Sequence, residues 1–254
     1  RPALASDGAG TLYAIWEDGR NGGVYNRDIY FSLGTDGNSD GFYDWQAPDI
    51  LVSSVGGLSA PGNQLQPDLA YSELTGRLYA VWQDGRYAVD GNGNYDIYFA
   101  YSDTQGATWQ GVTRLNDDTG PAAQLKPSIV VSPTQDPPQD LVYVVWQDHR
   151  NLNDDVYLTR SEDGGANWSP NFFVTDDPDT TLQNQGAPSI SVENYNGVVF
   201  VAWEDWRDPA HPEVYAMWSW DRGETFSIDI PVTIVNRDLR TTYRLDPSIV
   251  AHTT

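Results

Sequence analysis

The feature that most limits how this chain can fold is that it repeats itself. Leu12-Tyr13-Ala14-Ile15-Trp16-Glu17-Asp18-Gly19-Arg20 returns as Leu78-Tyr79-Ala80-Val81-Trp82-Gln83-Asp84-Gly85-Arg86. It returns twice more, as Val142-Tyr143-Val144-Val145-Trp146-Gln147-Asp148-His149-Arg150 and as Val199-Phe200-Val201-Ala202-Trp203-Glu204-Asp205-Trp206-Arg207. A second element follows each copy: Asp28-Ile29-Tyr30-Phe31, Asp96-Ile97-Tyr98-Phe99, Asp155-Val156-Tyr157-Leu158 and Glu213-Val214-Tyr215-Ala216. A third precedes each copy and opens on Pro2, Pro67, Pro127 and Pro188, at intervals of 65, 60 and 61 residues; 59 more reach Pro247-Ser248-Ile249-Val250.

Each unit reads as four short strands. The first follows the proline, the second carries the Trp and the third begins at Asp-Ile-Tyr. The fourth is a run such as Asp49–Val52, Val112–Leu115, Phe172–Thr175 or Pro231–Ile234. These runs are rich in β-branched and aromatic residues, and clusters of Gly, Asp, Asn and Pro separate them. No helical periodicity competes. Four antiparallel strands reiterated along a chain are the mark of propeller blades, so the expected fold is all-β, a β-propeller of four complete blades plus the first strand of a fifth. The blades are expected at about 1–56, 57–118, 119–180 and 181–240, with the extra strand at 243–251, in one domain read as part of a larger ring. The opening Arg1-Pro2, without methionine, leads us to expect a mature or excised piece of something longer.

Repetition also sorts the conspicuous residues. Trp16, Trp82, Trp146 and Trp203 are expected to pack between blades. Asp18 with Arg20, Asp84 with Arg86, Asp148 with Arg150 and Asp205 with Arg207 are expected to form hydrogen-bonded pairs tying strands or blades together. A feature present in every blade cannot converge on one active site.

Between the third and fourth strands, Ser161-Glu162-Asp163-Gly164-Gly165-Ala166-Asn167-Trp168 and Ser219-Trp220-Asp221-Arg222-Gly223-Glu224-Thr225-Phe226 fit S-x-D-x-G-x-[TN]-[WF]. This resembles the Asp-box (BNR) hairpin of the sialidase-like superfamily of propellers. The second unit has Ser102, Gly106 and Trp109 but Thr104 at the Asp position, and the first lacks the box. The Asp carboxylate can accept several backbone N–H groups within a tight turn, and Gly permits positive φ there. The resemblance implies that the boxes lie away from any catalytic centre and that the whole ring has six or more blades.

In place of the first box stands Asp36-Gly37-Asn38-Ser39-Asp40-Gly41-Phe42-Tyr43-Asp44. Its oxygen-bearing side chains at places 1, 3, 5 and 9 with Gly at 6 follow the start of a calcium-binding loop. Asp36, Asn38, Asp40 and Asp44 are therefore candidate Ca²⁺ ligands, although the twelfth place is Ala47 rather than Glu. Asp90, Asn92, Asn94 and Asp96 form a second candidate set with the same alternation but no Gly at the sixth place. Calcium is the one cofactor expected, and no organic cofactor.

Formal charge is −22, from 14 basic and 36 acidic residues, and Lys126 is the only lysine. No basic face exists to hold phosphates, which excludes nucleic acid as a partner, and no segment is apolar enough for membrane insertion. There is no cysteine, so no disulfide framework or thiol chemistry arises.

The resemblance to sialidases implies an arginine triad for a substrate carboxylate, a Tyr–Glu nucleophile pair and an Asp acid/base. It also implies a Phe/Tyr-Arg-Ile-Pro motif, of which Tyr243-Arg244-Leu245-Asp246-Pro247 is a displaced echo. Arg114, Arg160, Arg222, Arg237 and Arg240 stand outside the repeat, and nothing in the sequence gathers three of them. His149, His211 and His252 show no metal-ligand spacing. No catalytic residue is assigned. The sequence thus reads as a secreted or cell-surface, extracellular, non-catalytic module, stabilised by calcium, with a glycan or protein ligand. Its C-terminal strand is available to pair with further blades or another subunit. The alternative is a sialidase-like glycoside hydrolase acting on extracellular glycans.

Overall fold

The structure, a computed structural model, describes residues 2–22, 26–37, 40–54, 57–87, 94–135, 138–175, 183–193, 196–232 and 247–251. All regular elements among them are strands, in four antiparallel sheets that follow one another along the chain. The first holds β1 (Ala3–Ser6), β2 (Thr11–Asp18), β3 (Asp28–Thr35), β4 (Asp44–Trp45) and β5 (Ile50–Leu51), with β4 and β5 both on β3. The second runs β6 (Gln64–Tyr71), β7 (Leu78–Asp84), β8 (Asp96–Ser102) and β9 (Gln110–Arg114). The third runs β10 (Gln124–Gln135), β11 (Pro138–Asp148), β12 (Asp155–Ser161) and β13 (Phe172–Phe173). The fourth runs β14 (Gln185–Glu193), β15 (Val198–Asp205), β16 (Glu213–Ser219) and β17 (Ile230–Pro231). The fold is the expected propeller.

Strand alternation explains how one sheet packs on the next. On β2 and β3, Tyr13, Ile15, Ile29 and Phe31 point one way and are completely buried. They meet Leu78, Ala80, Trp82 and Tyr98 of the second sheet in one cluster. The opposite face of that sheet, with Tyr79, Val81, Ile97 and Phe99, meets Val142, Val144, Trp146 and Tyr157. The third sheet then offers Tyr143, Val145, Val156 and Leu158 to Val199, Val201 and Trp203 of the fourth. Each Trp is therefore a knob driven into the blade before it, and the core is a series of inter-blade layers. Trp16, in the first sheet, is the one member of the quartet only half-buried.

The inner strands lie side by side in the order β1, β6, β10, β14. The segment 247–251 continues the series. Its Ile249 N–H donates to Ser189 Oγ at 3.2 Å and its Ala251 N–H to Ser191 Oγ at 2.8 Å. Ile129 of β10 is held against β6 in the equivalent way, its N–H donating to Asp68 Oδ2 at 2.9 Å. A fifth inner segment thus occupies its place beside the fourth blade.

Candidate functional site

The repeated Trp, Asp and Arg residues form one cluster per blade. Trp82 Nε1 donates to Asp84 Oδ2 at 2.7 Å, the Arg86 backbone N–H donates to Asp84 Oδ1, and Arg86 Nη2 donates to Oδ2 at 2.6 Å. The guanidinium lies over the Tyr98 ring, 4.1 Å from its centroid. Trp146, Asp148, Arg150 and Tyr157 repeat the arrangement, as do Trp203, Asp205, Arg207 and Tyr215. Trp16, Asp18, Arg20 and Tyr30 complete the set. The cluster ties the second strand of a blade to its third. It is scaffold, and it consumes four arginines.

The Asp boxes are likewise self-contained. Ser161 Oγ donates to Asp163 Oδ1 and accepts the Gly165 N–H, both at 2.8 Å, while Asn167 donates to both oxygens of Asp163. Ser219, Asp221, Gly223 and Thr225 reproduce this geometry. In the second blade Thr104 Oγ1 takes the Thr108 N–H in place of the missing carboxylate. The box aromatics reach beyond their own hairpins: Trp168 meets Phe99 of the preceding blade edge-on at 4.9 Å, and Phe226 packs on Phe172 at 5.9 Å.

In the Asp36 loop, both oxygens of Asp36 accept backbone N–H groups, from Asp40 and Gly41, and Asp40 accepts from Phe42. Asp44 lies in β4, and Asn38 is outside the described residues. Of the second candidate set, Asp90 and Asn92 are outside the described residues; Asn94 is exposed, and Asp96 accepts from Asn116 at 2.8 Å. Among the described residues no three acidic or histidine side chains are gathered for a metal.

Among the described residues no three arginines outside the repeat converge, although Arg160 and Arg222 line one cavity with Tyr143, Glu162 and Glu224. Arg114 faces Asp96, and Arg160 bonds the Arg222 carbonyl and Glu224. Arg237 and Arg240 lie outside the described residues. A buried Tyr–carboxylate pair among the described residues, Tyr79 with Asp140 at 2.6 Å, is a clamp between the second and third blades. Asp140 also takes the hydroxyls of Ser72 and Thr75. Burial, and then the Asp140 carboxylate, push the Tyr79 phenol far above its ordinary range, which is the wrong direction for a nucleophile.

A different place on the molecule breaks the repeat. Pro2, Pro67, Pro127, Pro188 and Pro247 together line one cavity of about 220 Å³ at the axis. A proline donates no hydrogen bond to a ladder, so β6, β10 and β14 each slip in register here. The residues before three of these prolines have positive φ: 50° at Gln66, 52° at Lys126 and 47° at Ala187. Gln83 and Gln147 hold two of these bulges by accepting the N–H groups of Lys126 and Ala187 at 3.2 Å. The residues after the prolines are Ala3, Asp68, Ser128, Ser189 and Ser248, all lining the cavity. Asp68 alone is ionisable. Its carboxylate accepts the N–H groups of Leu69 and Ile129 and the Ser128 hydroxyl, at 3.0, 2.9 and 3.1 Å. Lys126, the only lysine, lines the same cavity. Sequence reasoning treated Asp68 as one more repeat residue and Lys126 as a detail of composition. The available signal was the difference among five equivalent positions.

Known proteins bear on the reading of that cavity. The model of the BNR repeat-like domain family matches residues 10–239. No curated protein matches. Among solved structures, the leech intramolecular trans-sialidase superposes with a TM-score of 0.60 at 11% identity, over 91% of this chain and 50% of its own. A Hadza microbial sialidase gives 0.58 at 19%, over 89% and 45%. The α-L-arabinanase of Penicillium chrysogenum gives 0.64 at 19%, over 98% and 70%. This chain spans about half the length of the two sialidases. The expectation of a non-catalytic binding or structural module is corrected by this comparison. The proteins sharing the architecture are mostly glycoside hydrolases, and blade uniformity, on which that expectation rested, fails at the axis.

Proposed function

The chain belongs to the BNR repeat-like domain family, and from that premise we propose that it is a glycoside hydrolase of extracellular glycans whose reaction centre is the axial cavity around Asp68. The observation that carries the proposal is the asymmetry of that cavity. Four of the five equivalent positions hold Ala or Ser, and one holds a carboxylate. Tethering the next inner strand does not require a charge, because Ser189 performs the same task with a hydroxyl.

Glycosidic cleavage passes through an oxocarbenium-like transition state and ordinarily uses two carboxyl groups flanking the bond. Asp68, surrounded by three donors, suits the acceptor role: orienting a water, or facing the positive charge that develops at the anomeric carbon. Glu17 and Glu204 stand at the repeat positions of Gln83 and Gln147, whose side chains reach the bulges beside the cavity, and they are the candidates for the second carboxyl. Because none of the described arginines lines the axial cavity, the reading favours a carboxylate-pair mechanism there over an arginine-clamped one.

The test is hydrolysis of a panel of aryl glycosides (sialoside, arabinoside, galactoside and xyloside) by the protein and by Asp68→Ser, Glu17→Gln and Glu204→Gln. Asp68→Ser copies the residue the ring uses elsewhere, so the tether survives while the charge is lost. We expect one substrate to be cleaved and Asp68→Ser to lower kcat by about 10²- to 10⁴-fold. At least one Glu variant should fall comparably. Cleavage of none of the panel, or an undiminished rate in Asp68→Ser, overturns the proposal.

A further inference from the structure

We propose that the protein binds a small oxyanion, a sulfate or phosphate group, in the cavity between its third and fourth blades where β11 begins and β12 ends. Arg160 and Arg222 are the ligands, and the anion fills the place that a carboxylate of the chain fills at the preceding junction. The site shares no residue with the axial cavity, so it stands or falls apart from the reaction centre proposed above.

The two junctions differ by an exchange of charged side chains. Between the second and third blades, the Asp140 carboxylate accepts the hydroxyls of Tyr79, Ser72 and Thr75. Tyr143 is the counterpart of Tyr79 one blade on and is equally buried, but the counterpart of Asp140 is Gly197. The Tyr143 hydroxyl donates instead to the Arg222 carbonyl, at 3.2 Å. The cations differ too. In the second blade Arg77 bonds the Gly164 carbonyl of the next Asp box and pairs with Asp103. In the third, Leu141 stands at that place, and Arg160 bonds the box carbonyl of Arg222 at 2.7 Å. The box position itself is Gln105 in the second blade and Gly164 in the third, and in the fourth it is a second arginine, Arg222. Relative to its neighbour, this junction lacks the internal carboxylate and has one guanidinium more.

Both arginines line a cavity of about 160 Å³ together with Tyr143, Glu162 and Glu224. The exposed Arg222 side chain runs past Gly197, where a Cβ would stand 3.8 Å from its Cγ. Its guanidinium makes no hydrogen bond or ion pair among the described residues. Its charge is felt at the cavity wall: burial pushes the Tyr143 phenol up to about 12, while Arg160 and Arg222 pull against it. Arg222 also holds a φ of 60°, at a place where the third blade uses Gly164. A long side chain kept at a left-handed position points to a use for it. The competing carboxylates are weakly held. Glu162 and Glu224 approach Arg160 at 3.2 and 3.3 Å, and their side chains are 64% and 63% exposed. An arriving oxyanion therefore displaces them at little cost. Two guanidiniums offer the forked donors that a tetrahedral oxyanion accepts.

The experiment is thermal unfolding of the full chain in millimolar sodium sulfate or phosphate, against sodium chloride at matched ionic strength, with calorimetric titration of the same anions. We expect sulfate or phosphate to give a saturable rise in melting temperature of about 2–5 °C that chloride does not give. Arg222→Gly installs the residue that the third blade uses at this turn, so the variant is expected to fold. It should weaken anion binding at least about tenfold. Arg222→Lys should retain part of the affinity, and Glu224→Gln, which removes a competing carboxylate, should raise it. Galactose 6-sulfate titrated beside free sulfate separates the sources: tighter binding of the ester marks an anion carried on a saccharide, and equal binding marks a free one. No response to either anion, chloride matching sulfate, or a rise that never saturates overturns the inference. So does a response unchanged in Arg222→Gly, because sulfate excluded from the surface at large would stabilise both proteins alike.

Discussion

At the scale of single residues, the repeat supplies four copies of one chemical cluster in graded degrees of burial. Asp84 is fully buried and Arg86 nearly so, with side chains 0% and 8% exposed, whereas Asp18 and Arg20 are 21% and 42% exposed. The same substitution should therefore cost different amounts. Asp84→Asn leaves a buried guanidinium without its counter-ion and is expected to lose about 3–5 kcal/mol. Asp18→Asn, whose partner is solvated and also reaches Asp49, should lose no more than about 1 kcal/mol. Urea denaturation of the two variants checks this, and equal losses would contradict the account. The same gradation explains what was legible in the sequence. The W-x-D-x-R pattern identified residues that belong to the scaffold, and they do. It also drew attention away from Asp68, which sits inside a repeated tetrapeptide, because sequence register does not reveal which strand edge turns toward the axis.

At the scale of elements, the Asp-box hairpin holds itself together and also wedges against the preceding blade. Gly165 shows why its place requires glycine. Its φ is +90°, and a Cβ there would stand 2.5 Å from Phe99 of the second blade, the ring against which Trp168 rests. Gly76 also has positive φ, +71°, but a Cβ there would meet nothing within 4 Å. Gly76→Ala should thus cost only the left-handed backbone term, about 1–2 kcal/mol. Gly165→Ala should add overpacking of the inter-blade layer and reach about 2–4 kcal/mol. Thermal unfolding of both variants measures the difference, and a Gly165 variant no worse than the Gly76 variant would show that the wedge is absent. The sequence predicted the hairpin from its own residues. It did not predict the wedge, because Phe99 and Trp168 are 69 positions apart and meet only once neighbouring blades stack. The expected fourth strands Asp49–Val52 and Phe172–Thr175 shrink to Ile50–Leu51 and Phe172–Phe173, whereas Val112–Leu115 is found as Gln110–Arg114. Pro231–Ile234 overlaps Ile230–Pro231 only at Pro231, with 233–234 outside the described residues. They lie on the outer edge, where little packing rewards a longer ladder.

At the scale of the whole molecule, charge sets the conditions under which the ring holds. A net charge of −22 spread over this surface opposes compaction at neutral pH, and salt screens that repulsion over about 10 Å at 0.1 M. Local arrangements act in the other direction on particular carboxylates. Arg20 draws Asp18 down to about 2, and the hydroxyls of Ser219 and Thr225 hold Asp221 lower still. Burial acts to raise Asp163 and Asp117, but the amide of Asn167 and the guanidinium of Arg150 respectively prevail and leave both below the ordinary value. A carboxylate whose folded value lies below its unfolded value stabilises the fold above the unfolded value of about 3.8. That contribution is lost as pH falls through the folded value. Two opposite slopes follow. Lowering the pH from 7 toward 5 begins to relieve the repulsion, and lowering it from about 4 to about 2 removes the stabilisation held by these aspartates. We therefore expect the melting temperature to peak near pH 5 and to rise with sodium chloride at pH 7. The salt effect should fade near pH 4, close to the isoelectric point of about 4.1. Melting curves across this grid decide the matter: a melting temperature indifferent to salt at pH 7 would mean that long-range repulsion is negligible. A flat profile between pH 4 and pH 2 would mean that the boxed and paired aspartates contribute nothing to holding the blades together.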